Sequence, residues 1–308
     1  MLDTRGSGYR GMVADILGTR SGDLAFLYET GIGFHGIYEI TSKPFFDNTI
    51  IHGVGEFEGR CVNRNICLRV LIDCKYYFPQ PVPEDMLFAT PERETLFWVW
   101  FYHKTQIRGA RGCTAMDPDA AQTLTELLIR VNGEAIAAPP SESYPTGSGS
   151  PLTLPLGDGP SVLYEDLLRG WLIESIDDPH RCDVRTIFGP EQDLEWFANN
   201  VPYHVAGRNI DVLAFHSTSQ YYGTSIRYRY SIVELKRDRA IIGDVEQLIG
   251  YSKWVASRLA YSETDMVQPV LIANEFQAEA ISRALYSDWP IYLIEYRVED
   301  NDIILRPV

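Results

Sequence analysis

Cysteine is scarce in this chain and odd in number. The five thiols, Cys61, Cys67, Cys74, Cys113 and Cys182, follow no framework spacing, which excludes a small scaffold stapled by disulfides. Cys61, Cys67 and Cys74 also stand too far apart for paired zinc ligands. Reduced, mostly buried thiols are expected. Long apolar runs are missing as well: none approaches the roughly 20 residues that a membrane-spanning helix requires. The N-terminus, MLDTRGSGYRGMVADILG, has neither the basic start nor the apolar core of a secretory leader. A soluble, cytoplasmic protein is the resulting expectation. Positive charge is in short supply, with 27 Lys and Arg against 42 Asp and Glu and a net charge of −15. As a whole this balance works against a nucleic-acid partner, because phosphate contacts need Lys and Arg. The deficit is uneven, however. Arg60, Arg64 and Arg69 lie in an acid-free stretch, Lys104, Arg108 and Arg111 lie in another, and Arg227, Arg229, Lys236, Arg237 and Arg239 cluster near each other. Such patches suit DNA bound to an acidic body, and equally suit solvated surface charge. The six histidines are scattered, and none pairs with a Ser or Cys in a nucleophile setting.

What is present is an ordinary globular composition, 45% hydrophobic and 22% charged, over 308 residues. That length suggests two domains. The stretch 137–160 holds six prolines, four glycines and four serines, which oppose helix and central strand alike. It is the linker candidate, giving domains at 1–136 and 161–308. Before it the pattern is mostly β, with apolar, β-branched or aromatic runs at 23–28, 36–40, 65–72 and 96–102. A helix is expected from Pro118 to Val131, with Asp117 as N-cap and Leu124, Leu127, Leu128 and Val131 at helical spacing. After the linker, helices at 162–176, 190–199, 245–260 and 275–285 alternate with strands at 203–205, 210–215, 225–235, 269–273 and 291–296. Interleaved strands and helices point to an α/β sandwich around a mixed sheet.

One constellation carries chemistry. Glu234 and Lys236 are two apart on an expected strand, so they share a face, and Val233 and Leu235 take the other. Two charges beside a β-branched run suit a packed core poorly unless they have partners or a metal. Asp211 sits on the neighbouring expected strand. Two carboxylates of this kind suit a hard cation such as Mg²⁺ or Mn²⁺. A metal so held polarises a phosphodiester and acidifies a bound water, and Lys236 would orient that water or stabilise developing charge. Gln247 and Tyr251 are four apart on the next helix, on a face distinct from Val245, Leu248, Ile249 and Val255. Glu165, on the helix before the first strand, is an outer carboxylate candidate, with Asp166 and Glu174 as competitors. Asp211, Glu234 and Leu235 are the positions assigned to the metal.

The text Gly207-Arg208-Asn209-Ile210-Asp211, then Val233-Glu234-Leu235-Lys236-Arg237, then Gln247-Leu248-Ile249-Gly250-Tyr251 with Trp254-Val255 resembles the RecB-type nuclease domain of the archaeal NucS family. That family belongs to the PD-(D/E)XK class. The resemblance implies metal binding by Asp211 and Glu234, a catalytic Lys236, and Gln247, Tyr251 and Glu165 lining the site. In the other half, Ser21 to Tyr28, Gly36-Ile37-Tyr38-Glu39-Ile40 before Lys43-Pro44-Phe45, and Lys104 to Gly109 leading into Met116-Asp117-Pro118 resemble the EVE/YTH branch of the PUA-like superfamily. This second resemblance implies a small β-barrel with helices that reads a flipped or modified base. Trp98, Trp100 and Tyr102 alternate on one strand face beside Lys104, Arg108 and Arg111. They fit base stacking flanked by phosphate contacts, and the two tryptophans equally fit a barrel core.

The expected fold is therefore α+β in two domains, a PUA-like barrel followed by a PD-(D/E)XK sandwich. The expected function is a metal-dependent DNA endonuclease, acting in modification-dependent restriction. The alternatives are a mismatch- or structure-directed repair nuclease and a non-catalytic nucleic-acid-binding protein. Cutting both strands of a duplex would favour a homodimer.

Overall fold

The computed structural model describes residues 13–29, 31–47, 56–57, 60–61, 68–89, 113, 115–136, 149–176, 178–202, 208–221 and 223–308. Its secondary structure is mixed α+β, and the chain divides into two compact units. One takes the described residues among 19–97 and 118–153. The other takes those among 1–18, 98–117 and 154–308.

In the first unit, β1 (Leu24–Glu29), β2 (Gly33–Ile40) and β7 (Ile72–Tyr76) form an antiparallel sheet in the order β1-β2-β7. Beside it are β3 (Phe45–Phe46), β6 (Leu68–Arg69) and β8 (Ser150–Pro151), in the order β6-β3-β8, and the pair β4 (Glu56–Phe57) and β5 (Arg60–Cys61). No closed barrel joins these strands among the described residues. Among the described residues two helices, α1 (Glu84–Phe88) and α2 (Pro118–Asn132), accompany these strands. The α2 helix starts at the expected proline. Ala120, Leu124, Leu127 and Leu128 are buried along it, a spacing of four, three and one that makes a single stripe. Asn132 closes the helix by pairing its side-chain amide with both backbone groups of Gln80.

The second unit is built on one six-stranded mixed sheet in the order β14-β13-β12-β11-β10-β9. Its strands are β9 (Leu194–Pro202), β10 (Asn209–Tyr221), β11 (Thr224–Ala240), β12 (Val267–Phe276), β13 (Tyr292–Glu299) and β14 (Asp302–Pro307). β11, β12 and β13 run parallel, and the other neighbours are antiparallel. Parallel neighbours need crossover connections. These are α5 (Ile242–Leu259), between β11 and β12, and α6 (Ala278–Leu285), between β12 and β13. Both helices cover one face. Val245, Leu248, Ile249 and Val255 of α5 and Ala280 and Ala284 of α6 share a core with Ile210, Leu213, Phe215, Ile232, Leu271 and Ala273. The alternate residues Val212, Val233, Leu235, Val270 and Ile272 are also buried, so the sheet excludes water from both faces. Of the helices α3 (Glu165–Ser175) and α4 (Cys182–Phe188), α3 packs on β10 and β11 and α4 on β14. Leu154 and Leu156, from the proline- and glycine-rich stretch, are buried in this unit too.

Three expectations need correction. Residues 190–199 are not a helix: α4 ends earlier, at Phe188, and Leu194–Pro202 is the edge strand β9. Gly189 is the reason. Its φ of +72° stops the helix, and a Cβ there would lie 2.7 Å from the Arg229 guanidinium, whose Nη2 donates to the Phe188 carbonyl. The last strand of the sheet is β14 rather than the segment at 291–296. Asp300 and Asn301, with φ of 50° and 61°, make the tight turn that returns the chain, a role Asp and Asn tolerate well. Three cysteines are less buried than expected: Cys74 and Cys113 are half-buried and Cys182 is exposed, all three free. The expected strand at 203–205 lies outside the described residues.

A polar chain crosses the α3 side of the sheet. Arg229 Nη2 lies 3.3 Å from His216 Nδ1, His216 Nε2 lies 2.9 Å from Ser231 Oγ, and Ser231 donates to Gln268 Oε1 at 3.3 Å. Only a neutral His216 can accept at Nδ1 and donate at Nε2. His216 is 0% exposed. Burial, and then the Arg229 charge, lower its pKa to about 3. Below its ordinary value the unfolded chain takes up a proton that the folded chain refuses. His216 therefore leaves stability at its full value above about pH 6.5, and stability is lost as pH falls from there toward about 3. Urea denaturation should show a loss of about 1.4 kcal/mol from this residue between about pH 7.5 and 5.5. His216→Gln should flatten that slope. An equal slope in both proteins would show that His216 is not the proton acceptor.

Candidate active site

The site forms where two neighbouring strands part. The β10–β11 ladder runs up to the pair Val212 and Val233. One step further the Asp211 side chain enters, and its Oδ2 accepts the Leu235 N–H at 2.8 Å. A carboxylate thus takes the place of a main-chain acceptor. The opposite edge of β11 continues to pair with β12 through Lys236 and Ala273.

Glu234 is 2% exposed. Its Oε1 accepts from Lys236 Nζ at 2.6 Å and from Gln247 Nε2 at 2.7 Å, and its Oε2 is buried without a hydrogen-bond partner. Gln247 donates also to the Tyr251 hydroxyl at 2.8 Å, and Tyr251 in turn donates to the Asn209 carbonyl at 2.8 Å. Both amide hydrogens of Gln247 are used, which fixes its orientation. The chain of bonds ties α5 to the first residue of β10. Lys236 also lies 3.7 Å from Asp244, which caps α5 through the Ile241 N–H. Glu165, at the start of α3, accepts from the Arg237 N–H at 3.3 Å.

The charges are crowded. Burial, then Asp211, push the Glu234 carboxyl up to about 8. The same two causes raise Glu165. Burial works to lower Lys236, but Glu234 first, then Glu165 and Asp211, outweigh it and hold the ammonium above the ordinary lysine range. Burial, then Glu234 and Asp211, raise the Tyr251 phenol, so it stays neutral and donates. In each of these groups the neighbouring acids act in the same direction, adding to burial at Glu234, Glu165 and Tyr251 and outweighing it at Lys236.

The structure therefore brings together Asp211, Glu234, Lys236, Gln247, Tyr251 and Glu165. Leu235 lies among them with its N–H on Asp211, and only its carbonyl could face a metal. Of the competing acids on α3, Asp166 pairs with Arg169, and Glu174 is exposed on the last turn. Trp98, Trp100, Tyr102, Lys104, Arg108 and Arg111 lie outside the described residues. Sequence reasoning missed Arg169. Its side chain is 8% exposed, and Nη1 donates to Asp211 Oδ1 and to Asn200 Oδ1, each at 3.0 Å. The available signal was its place four residues after Glu165 on one helix face.

Among the described residues no group of three His, Cys, Asp or Glu side chains stands ready to hold a metal ion. A site of another kind fits. Five carboxylates (Asp211, Glu234, Glu165, Asp166 and Asp244) stand with two cations, Lys236 and Arg169. When all are ionised, the negative surplus suits a divalent ion. The buried, unpartnered Glu234 Oε2 offers a free oxygen. Mg²⁺ commonly binds through one or two carboxylates and keeps several waters, without an all-protein cage.

No family model matches the chain, and no curated protein matches it. Among solved structures it is similar to a repair endonuclease from Pyrococcus abyssi, with 16% identity and a TM-score of 0.26, over 39% of this chain and 42% of that chain. The chain thus spans less than half of that protein's length. So loose an overlap leaves the chemistry to be argued from the site's own atoms.

Asp211 satisfies a buried N–H and a buried guanidinium at once. Asp211→Ala should cost about 1–3 kcal/mol, because it strips the buried Leu235 N–H and one Arg169 N–H of their acceptor, while Arg169 keeps Asp166 as its ion partner. Adding Arg169→Met to that variant should cost less than it does in the parent, since the Asp211–Arg169 contact is already gone. Urea melts of both single variants and the double variant measure the coupling. Additive losses would mean that the two side chains do not act as a pair.

Proposed function

We propose that the second unit is a metal-dependent nuclease domain of the PD-(D/E)XK class and that the protein hydrolyses phosphodiester bonds in DNA. One observation carries the reading: a buried Glu234 with one carboxylate oxygen free, beside Lys236 and Asp211, at the point where β10 and β11 separate. Buried charges of this density are costly unless they serve a ligand.

Asp211 and Glu234 would hold Mg²⁺ or Mn²⁺, with Glu165 as an outer carboxylate and the Leu235 carbonyl as a further candidate. The ion supplies Lewis acidity to the phosphoryl oxygen and lowers the pKa of a bound water. Gln247, through its paired bonds to Glu234 and Tyr251, keeps the Glu234 carboxylate from rotating. Lys236 is charged at neutral pH by virtue of the surrounding acids. It therefore serves to place the attacking water and to offset negative charge on the phosphorane-like transition state, rather than to accept a proton. Tyr251 stays protonated and anchors the start of β10.

In this reading the N-terminal part of the chain, residues 1–136, selects the site on DNA. Trp98, Trp100 and Tyr102 with Lys104, Arg108 and Arg111 would then stack a displaced or modified base and grip its phosphates. One metal centre cuts one strand, so double-strand cleavage would require two copies of the chain.

The test is nicking of supercoiled plasmid with Mg²⁺ or Mn²⁺, and with EDTA as control. Glu234→Gln and Lys236→Met should each lower the rate at least about a hundredfold. A Glu234→Gln protein that nicks like the parent would sink the reading. The same assay on methylated, hydroxymethylated, mismatched, forked and plain duplexes separates modification-dependent restriction from structure-directed repair.

A further inference from the structure

Arg169 has no part in the hydrolytic scheme above, yet it is in direct contact with its centre. Its Nη1 donates to Asp211 Oδ1 and to Asn200 Oδ1, and its Nη2 donates to Asp166. Its Nε is buried and has no hydrogen-bond partner. The guanidinium is thus set by the acids around it while one of its own donors goes unsatisfied. Asn200 is itself held, accepting from Asn209 Nδ2 at 3.3 Å. Asn200 has a left-handed backbone, φ 55°, next to the end of β9, so the cradle of Arg169 is built by two adjoining strands and a helix.

A guanidinium cannot give up its proton in a protein. Arg169 therefore places a permanent positive charge on one of the two carboxylates that would hold a divalent cation. A cation sharing Asp211 Oδ1 would stand at most about 5 Å from the guanidinium nitrogen, the sum of the 3.0 Å hydrogen bond and a metal–oxygen bond of about 2.1 Å. Two outcomes compete when Arg169 is removed. Asp211 loses one hydrogen bond and some of its fixed orientation, which weakens metal binding. The site also loses a like charge facing the ion, which strengthens it. In a water-poor site, repulsion between a single and a double positive charge at this range exceeds the contribution of one hydrogen bond.

We propose that Arg169 is the resident counter-ion of Asp211, a positioning residue that holds the carboxylate in the metal-free protein and weakens divalent-ion binding until a phosphate group joins the site. The negative charge of the phosphate offsets the guanidinium, so ion and substrate are held together rather than in turn. This rests on the metal-dependent reading of the same site.

The experiment is a Mn²⁺ titration of the full chain, following the paramagnetic signal of the free ion, with and without thymidine monophosphate as the phosphate probe. Arg169→Met should bind Mn²⁺ at least about tenfold more tightly than the parent, and Arg169→Lys, which keeps the charge, should stay within about threefold of it. Thymidine monophosphate should tighten Mn²⁺ binding more in the parent than in the Met variant. Should the Met variant melt too early to use, Arg169→Gln removes the charge while keeping a donor for Asp211, with the same expected gain. A neutral variant that binds Mn²⁺ equally or more weakly overturns the counter-ion role. If the parent still binds Mn²⁺ and nicks DNA in that case, only the role of Arg169 fails. If neither parent nor neutral variant binds Mn²⁺ under any condition, the metal-dependent reading falls and this inference falls with it.

Discussion

The bond from the Leu235 N–H to the Asp211 carboxylate is the constraint on which the rest of the site depends. A strand leaving its neighbour must find another acceptor for the N–H it strips of a partner, because a buried donor cannot be left bare. Here the acceptor is a charged side chain of the departing strand itself. That choice lets β10 and β11 separate without loss of main-chain satisfaction. It also lodges a carboxylate one step from Glu234 on the facing strand. The opening of the sheet and the placing of the acids are one event.

The charges then determine one another. Glu234 is buried beside Asp211, and together they push its carboxyl up to about 8 even with the Lys236 ammonium at 2.6 Å opposing them. Lys236 in turn is held charged against its own desolvation by three acids. Gln247 and Tyr251 add no charge. They connect Glu234 on β11 to the Asn209 carbonyl on β10 through α5, so the two separated strands are spanned by a helix as well as by Asp211. Arg169, from α3, joins Asp211 on β10 to Asn200 on β9. An array of this kind is stiff, and the negative surplus it keeps is available to a ligand.

Much of this was legible in the chain. The two-residue period of Ile232, Glu234 and Lys236 placed both charges on one face, and the four-residue step of Gln247 and Tyr251 placed both on one helix face. The structure puts those four side chains within hydrogen-bond reach of one another or of Glu234. Other features were hidden for reasons that can be named. Leu194 to Pro202 carries no clean alternation, because β9 is an edge strand with most positions half-exposed. Its strand character comes from pairing with β10. The β14 return depends on Asp300 and Asn301 entering the left-handed region, which composition suggests only weakly. Arg169 is the one cation on an otherwise apolar and acidic helix, and nothing local says that it faces Asp211, 42 residues away.

What the sequence by itself determined is the local geometry: which residues share a strand face or a helix face, where α2 begins, and that Asp211, Glu234 and Lys236 are charges in segments apolar enough to be buried. Such facts follow from short-range periodicity and need no partner. What only the tertiary structure decided is which charges meet, in what state of protonation, and with which oxygen left over. Those depend on how far apart β10 and β11 are driven, on the burial imposed by α3 and α5, and on the electrostatic coupling of groups distant in the chain, none of which is a property of any single segment.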